Sequence, residues 1–457
     1  MSGLNSALSI ASQSLLVQQS ALQVATNNIA NSDTPGYSRE VLDFVENPPS
    51  QQGSLWFGNG VSAGQVESIR DNLLQLRIYD ETQQQSNAQT QSTNLQQLEG
   101  LFSDPTQGIG ADLTAFFNSI NQLSTDPTNI PARQSVLTAA NNLASDFHSA
   151  VTQVTAIQHN LDLGVTQAVS QINQLSSQIA ALNAQVAPLQ KLGQDAGALE
   201  DQREQLIDQL SQLTGLQVTQ TDQGETLSTA NGTPLVVGTE SFDLSTAPGS
   251  DGLQHVFANG TDITGSTTGG QIGGLLAVRD QSVANVLSDL DGLASGLATN
   301  FNAAHQLGYD LNGKTKQNFF TPVSGAGSAA KFQVAITDPN AIAASSDGSQ
   351  GGNGNLQNLL AVANQPLPSS GVSPIDDYSD LVFNVGNWSQ QAQAQATASQ
   401  NSLQQLNNQR DSVSGVSIDE ETTNLIRFQQ AYQAAAHVIS TINDLTQDLF
   451  NITTTTG

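Results

Sequence analysis

Gly308 to Thr315 reads "GYDLNGKT", a full match to the spacing G-x-x-x-x-G-K-[ST]. In a working phosphate loop that spacing wraps backbone amides around an anion, between a buried strand and the start of a helix. Here a helical pattern comes before it, and "KQNFFTPV" follows, short, aromatic and closed by proline. The segment therefore reads as a glycine-rich turn opening a β region, not a nucleotide site. "GNGVSAG", Gly58 to Gly64, misplaces the third glycine of a dinucleotide fingerprint and is framed by neither strand nor helix.

Other candidate chemistry is as thin. The five histidines, His148, His159, His255, His305 and His437, form no metal-ligand spacing. His148 and His159 lie eleven residues apart on one helical stretch, about three turns, too far to share an ion. No G-x-S-x-G elbow is present. "DLNGKTKQN" and "SDGSQGGNGN" lack the ligand alternation and closing Glu of a calcium loop. Asp376-Asp377 and Glu420-Glu421 are adjacent carboxylates, and Glu420 and Glu421 read as exposed charges near a helix start. No catalytic residue, metal site or cofactor is expected.

The chain has 457 residues and a formal charge of −28, with only 12 basic residues. Such a surface repels nucleic acid and anionic lipid, so neither is an expected partner. Charged residues are 11% of the chain. That is well under the usual quarter or so, and uncharged polar side chains replace them, as suits packing against other protein. There is no cysteine, which excludes disulfides and thiol chemistry. Neither a secretory signal nor a run of membrane-spanning length is found. The expectation is a cytoplasmic protein, or one exported by a route that leaves its N-terminus uncut.

With chemistry set aside, the informative elements are the ends. The first 32 residues carry no charge; the first acid is Asp33 and the first base Arg39. Leu4, Leu8, Ala11, Leu15, Gln18, Leu22, Ala25 and Ile29 recur at alternating spacings of four and three, a heptad seam. The helix is expected to stop near Asn31 in a left-handed cap. Thr34-Pro35-Gly36-Tyr37 then reads as a turn, proline fixing one φ and glycine supplying the positive one. At the other end Ile418, Leu425, Phe428, Tyr432, Ala435, Ile439, Ile442 and Leu449 follow a like seam, with Glu421 and Thr446 at its remaining positions and Ser417 as N-cap. Two amphipathic helices this poor in charge need apolar partners: each other, then neighbouring subunits, or else an ordinary bundle core.

Between them, a seam from Phe147 to Val186 predicts a helix of nearly forty residues ending at Pro188. "LQKLGQDAG" is read as a turn leading to a shorter helix through Leu199, Leu206, Leu210 and Leu213. Residues 72–102, 111–124, 132–147, 281–304 and 388–413 also read as helices. Residues 216–274 alternate and carry Asn231-Gly232 and Asn259-Gly260 turns, the pattern of short strands. Residues 308–384 are read the same way, with "KFQVAI" and "LVFNV" as strands. The expected fold class is α+β multidomain: terminal helices forming a coiled coil, a long helical-bundle domain and an inserted antiparallel β domain. The expected division is 1–70 with 414–457 for assembly; 71–215, 275–306 and 385–413 for the helical domain; and 216–274 with 307–384 for the outer β domain.

"ANSDTPGYSR", after an uncharged helix, resembles the signature of the flagellar axial proteins of rod, hook and hook–filament junction. "GNGVSAGQVESIRDNLLQLRI" is similar to the segment that follows it there, and "EETTNLIRFQQAYQAAAHVISTINDLTQDL" to their C-terminal helix. "LEDQREQLIDQLSQLTGLQVTQTDQGETLSTANGTPLV" and "FNAAHQLGYDLNGKTKQNFF" resemble the hook-associated, first-junction branch in particular. The long helical hairpin separates that branch from rod and hook proteins. The resemblance covers residues 1–235 and 388–457 well and is weaker between, except near 298–320.

The resemblance implies a non-enzymatic structural subunit of the bacterial flagellum, outside the cell, exported uncleaved by the flagellar type III system. Implied partners are further copies in a ring, the hook protein below, and a second junction protein and the filament above. An export apparatus and a chaperone for the C-terminal helix are implied as well. The assembly interface would comprise Leu4, Leu8, Leu15, Leu22, Ile29, Leu425, Phe428, Tyr432, Ile439, Ile442 and Leu449, with the turn Asn31, Thr34, Pro35, Gly36 and Tyr37 at its base. A distal rod or hook subunit, and a secreted acidic adhesin or enzyme, are the alternatives.

Overall fold

The computed structural model describes residues 2–52, 54–192, 194, 196–221 and 223–455. Its contacts group into two compact units: residues 1–83, 171–244 and 400–457, and residues 84–170 and 245–399. This is not the expected division. Helices α2 (Asn72–Gly100), α4 (Ile130–Lys191) and α9 (Pro374–Ser414) each contribute to both units. A boundary inside an unbroken helix leaves no mark of composition or turn chemistry.

The first unit holds the terminal helices α1 (Ser2–Ala30) and α10 (Ile418–Thr455), helix α5 (Gly197–Leu213) and three small antiparallel sheets. Strands β1 (Glu40–Glu46) and β4 (Val61–Ser68) pair, with a bulge between Leu42 and Phe44. Between them β2 (Ser50–Gln52) and β3 (Leu55–Phe57) form their own short pair. Strands β5 (Leu216–Thr221), β6 (Gly224–Thr229), β7 (Pro234–Val237) and β8 (Glu240–Ser241) make an antiparallel meander. It buries Leu227, Leu235 and Val236.

The second unit is built on α3 (Ile109–Leu123), α7 (Val283–His305) and α8 (Gly354–Ala361). Apolar residues at helical spacing, Leu113, Phe116 and Ile120 on α3 and Val286, Leu290, Leu297 and Phe301 on α7, are fully buried or nearly so. Phe116, Phe301, Phe319, Phe320, Phe332 and Phe147 form a chain of rings with centroids 4.6–5.1 Å apart at successive contacts. Strands β9 (Leu244–Pro248), β10 (Gln254–Ala258) and β11 (Thr261–Asp262) make a small sheet. Asn259 and Gly260, at φ 48° and 78°, close its two-residue hairpin, as the Asn-Gly pair predicts. A π-helical turn, Val278–Ser282, joins α6 (Gly270–Ala277) to α7. Its fully buried Arg279 bonds Asp162 at 2.6 Å and the Gln254 carbonyl at 2.7 Å.

Several expectations are corrected. The helices expected at 132–147 and from Phe147 onward are one helix of 62 residues. Pro188 lies inside its last turn rather than ending it, because one missing N–H there forfeits a single hydrogen bond. Of the turn expected after it, Gly193 and Asp195 lie outside the described residues. "LVFNV" is helical: α9 begins at Pro374, where the Ser373 hydroxyl accepts from the Asp376 amide at 3.3 Å. Ser-Pro-x-Asp-Asp is a helix-start signal that outweighs a β-branched run. Leu381 and Val385 face inward and Phe383 outward, which is helical period. "KFQVAI" is extended but makes only an isolated bridge, Phe320 to Val334. Among the described residues 307–384 the other bridge is Tyr309 to Ser345, and no regular strand forms.

Candidate assembly interface

Helix α1 lies against α10. The first turn of α10 meets the segment just after α1, where the Arg39 guanidinium bonds Glu421 at 2.8 Å and Glu420 at 3.0 Å; the Arg39 amide donates to the carbonyl of Ser414, the last residue of α9. Farther along, Phe428 packs on Val17 and Ala21. The two helices are therefore antiparallel. Glu420 is exposed, but Glu421, expected to be exposed as well, is buried as the partner of Arg39.

On α10 the seam points where its spacing says. Glu421, Ala435 and Ile442 are buried, and Leu425, Phe428, Tyr432 and Ile439 are half-buried. Ile418, Thr446 and Leu449, toward the two ends of the helix, are exposed. On α1 the closest face is rotated from the leucine seam: Ala11, Val17, Ala21, Ala25 and Asn28 are buried. Leu4, Leu8, Leu15, Leu22 and Ile29 are each half-buried beside it. Small residues let two backbones approach, so alanines take the centre and the leucines line its margins. The heptad seam named Ala11 and Ala25 of the buried set, but not Val17, Ala21 or Asn28.

The turn at the base of α1 is over-determined. The Tyr37 amide donates to the Thr34 carbonyl at 3.2 Å with Gly36 at φ 78°, the type II geometry that Pro-Gly encodes. A side chain at Gly36 would also run into Gln205, whose amide donates to the Pro35 carbonyl at 2.9 Å. Asn31 does not adopt the left-handed cap expected of it. Its amide bonds back to Asn27 and Asn28, and its side-chain amide donates to the Asn27 carbonyl at 3.0 Å. Thr34 donates its hydroxyl to Asn31 at 3.3 Å.

Asn28, which no motif singled out, carries most of this corner. Its side chain donates to the Glu40 carbonyl at 2.8 Å and accepts from the Glu40 amide at 3.0 Å and the Tyr37 hydroxyl at 2.9 Å. It thereby seats the first residue of β1 on the last turns of α1.

Much apolar surface is left uncovered. Leu16 on α1 and Ile426, Val438, Leu445 and Phe450 on α10 are exposed, as are Leu55, Trp56 and Phe57 on the β2–β3 pair. Charged side chains are sparse here: no Lys or Arg follows Arg427, whose guanidinium lies over the Phe428 ring.

Residues 95–320 match the family described as the flagellar hook-associated protein FlgK helical domain. Residues 407–452 match the flagellar basal body rod FlgEFG protein C-terminal family, and residues 8–37 the flagella basal body rod protein family. Flagellar hook-associated protein 1 of Bacillus subtilis (strain 168) is 29% identical over 97% of both chains. The protein of that name from Salmonella typhimurium is 27% identical, and that from Escherichia coli (strain K12) 25% identical, each over 99% of this chain and 98% of theirs. Over nearly its whole length the chain is similar to the flagellar hook-associated protein 1 family. A solved structure, the flagellar hook junction protein FlgK from Burkholderia pseudomallei, shares the fold with a TM-score of 0.67. It is 19% identical and aligns over 74% of this chain and 100% of its own.

In this chain the chemical decoys are structural. In "GYDLNGKT" the Asp310 carboxylate accepts from the amides of Asn312 at 2.8 Å and Lys314 at 2.7 Å. The amides a phosphate would need are already taken by the loop's own acid. His305 is buried with Nδ1 on the Gln317 carbonyl at 2.8 Å and Nε2 accepting from the Ala343 amide at 3.0 Å, which fixes a neutral tautomer. Burial holds its pKa below the usual value. His255 lies between Asp262 and Asp251, and its pKa is raised chiefly by the bond to Asp262. Among the described residues no group of three or more His, Asp or Glu is placed to hold a metal, and no helix is long and apolar enough to cross a membrane.

Proposed function

We propose that this chain is a structural subunit of the bacterial flagellum, set at the junction between hook and filament, and that copies assemble through α1 and α10. Similarity to flagellar hook-associated protein 1 over nearly the whole chain supports the first part. The observation that carries the second is the apolar surface that α1 and α10 leave exposed after pairing with each other. Monomers rarely leave large apolar patches in water.

Leu4, Leu8, Leu15, Leu22 and Ile29 on α1, and Leu425, Phe428, Tyr432, Ile439 and Leu449 on α10, would change from half-buried or exposed to covered as a ring closes, around Ile442, which is already buried. Identical subunits joined head to tail close into a ring only if the rotation between them allows it. The hook would lie below, and a second junction protein and the filament above. The chain would travel uncleaved through the flagellar type III export apparatus, with a chaperone covering the apolar face of α10 until assembly.

Electron microscopy of cells lacking the gene, with an assay for flagellin in the medium, tests this reading. Bare hooks with monomeric flagellin in the medium are expected. Missing hooks would move the protein inward to a rod or hook position, and normal flagella would overturn the reading.

A further inference from the structure

Residues 36–70, the turn and hairpin that follow α1, are clamped to α5 at both ends by neighbouring side chains. At the entrance, the Ser38 amide donates to Asp201 Oδ2 at 3.1 Å and Gln205 holds the Pro35 carbonyl. At the exit, Arg70 donates to Asp201 Oδ1 at 2.6 Å, to the Gly197 carbonyl at 2.8 Å and to Glu200, and lies 3.4 Å from Glu204. Arg70 also reaches back to the Ser38 hydroxyl at 3.3 Å. One carboxylate, Asp201, thus grips both the beginning and the end of the excursion.

The cluster is short of positive charge. Arg70 and Arg203 face Glu200, Asp201, Glu204 and Glu225, all at most one-fifth exposed at the side chain. Arg203 is engaged elsewhere, with Asn183 of α4 at 3.2 Å and Glu225 of β6 at 3.4 Å. Gln190 of α4 donates to Glu200 at 2.6 Å. From α2 the buried phenol of Tyr79 faces Glu204, Glu225 and Asp208. Asp208 is bonded to Thr82 and Gln212, with Arg410 of α9 within electrostatic reach. No cation is left over for Glu204, which shares Arg70 with two better-placed acids.

We infer that this cluster is a proton-operated latch: it holds residues 36–70 on α5 while Glu204 carries a proton and loosens when Glu204 ionises. Burial pushes the Glu204 carboxyl up to about 7, with Glu225 and Asp201 adding to the rise and Arg70 and Arg203 opposing it. Releasing the segment lets water reach Glu204 and returns its pKa toward 4.5, the ordinary glutamate value. The open form therefore loses its proton first. The latch is tightest below that ordinary value and weakens as pH rises through the latched one. This inference is independent of how the subunits assemble.

The test is hydrogen exchange of the full-length protein from pH 5.5 to 8.5, corrected for intrinsic rates. It compares peptides from 38–70 with peptides from α7, for the wild type and Glu204→Gln. A single linked proton should raise opening of 38–70 roughly tenfold or more between pH 5.5 and 7.5, while α7 does not follow. Glu204→Gln should remain as protected at pH 7.5 as at 5.5. An unchanging wild-type profile, or the same rise in Glu204→Gln, overturns the latch. If the variant does not fold, the wild-type midpoint decides: near 7 supports the latch, and no midpoint between 5.5 and 8.5 overturns it.

Discussion

The aromatic core of the second unit and the helix pair of the first are both built from helices with apolar seams, yet they are finished differently. Around α7 every large apolar side chain in the seam is sealed: Phe116, Phe301, Phe319, Phe320 and Phe332 expose essentially nothing. Between α1 and α10 the centre is alanine, the leucines are half-covered, and further apolar side chains lie open on the far side. The first region has satisfied its hydrophobic requirement within one chain. The second has met only part of it, as expected of a surface meant for other subunits. Seam periodicity is alike in the two; what differs is how much partner surface the same chain supplies.

Substitutions that separate folding from assembly sharpen this contrast. Phe301→Ala, at the centre of the ring cluster, should cost about 3–5 kcal/mol of stability in the second unit. Denaturant titration would measure it, and a loss under about 1 kcal/mol would mean the core is less tightly packed than its burial implies. Leu22→Pro should cost about 3 kcal/mol of helix stability. It should abolish incorporation into flagella while leaving the second unit's unfolding transition in place, as calorimetry and electron microscopy of complemented cells would read. Normal incorporation of this variant would break the assembly reading.

The two regions should also answer pH in opposite directions. His305 is held neutral by burial, with its pKa below the ordinary 6.5. The unfolded chain takes up that proton first as pH falls, so the second unit's stability is complete above 6.5 and is lost as pH drops through the folded value. Glu204 acts in the other sense, as derived above. Melting curves from pH 5 to 8 followed by probes placed in each unit should therefore tilt apart, and His305→Gln should flatten the acid side of the second. The smallest effect on folding is expected of Leu445→Ser. Replacing an exposed residue should change stability by no more than about 0.5 kcal/mol. If the outer face of α10 meets neighbouring subunits, the same change should still reduce filament number per cell; unaltered filamentation would remove Leu445 from the interface.

Much of this protein was legible in its sequence. An uncharged N-terminal helix, two heptad seams, the Pro-Gly turn and the Asn-Gly hairpin each follow from rules that act over a few residues: helical period, a fixed proline φ, a tolerated positive φ. The motifs at 29–39 and 199–235 carried the family. The C-terminal seam from Glu421 to Ile442 came out in register because its large and small residues share one stripe.

What local rules do not reach was settled by contacts across long stretches of chain. Ala21 rather than Leu22 is central on α1 because Ala21 packs in one cluster with Leu42 of β1, with Val61 and Val66 of β4 and Phe428 of α10 against it. The helical state of "LVFNV" was decided by a cap eight residues upstream and by a face that needed covering. The run of 62 residues in α4 outlasted Pro188 because one lost hydrogen bond is a small term beside the apolar surface buried along that helix. Asn28, Arg39, Arg70 and Asp201 matter only where distant segments meet, since a lone polar side chain has no function until the fold brings its partner within about 3 Å. The sequence by itself determined which segments would be helix, turn or strand wherever period and turn chemistry agree. The tertiary structure alone decided which face is central, which charges are buried, and how much apolar surface remains for a neighbour, because those are properties of packing.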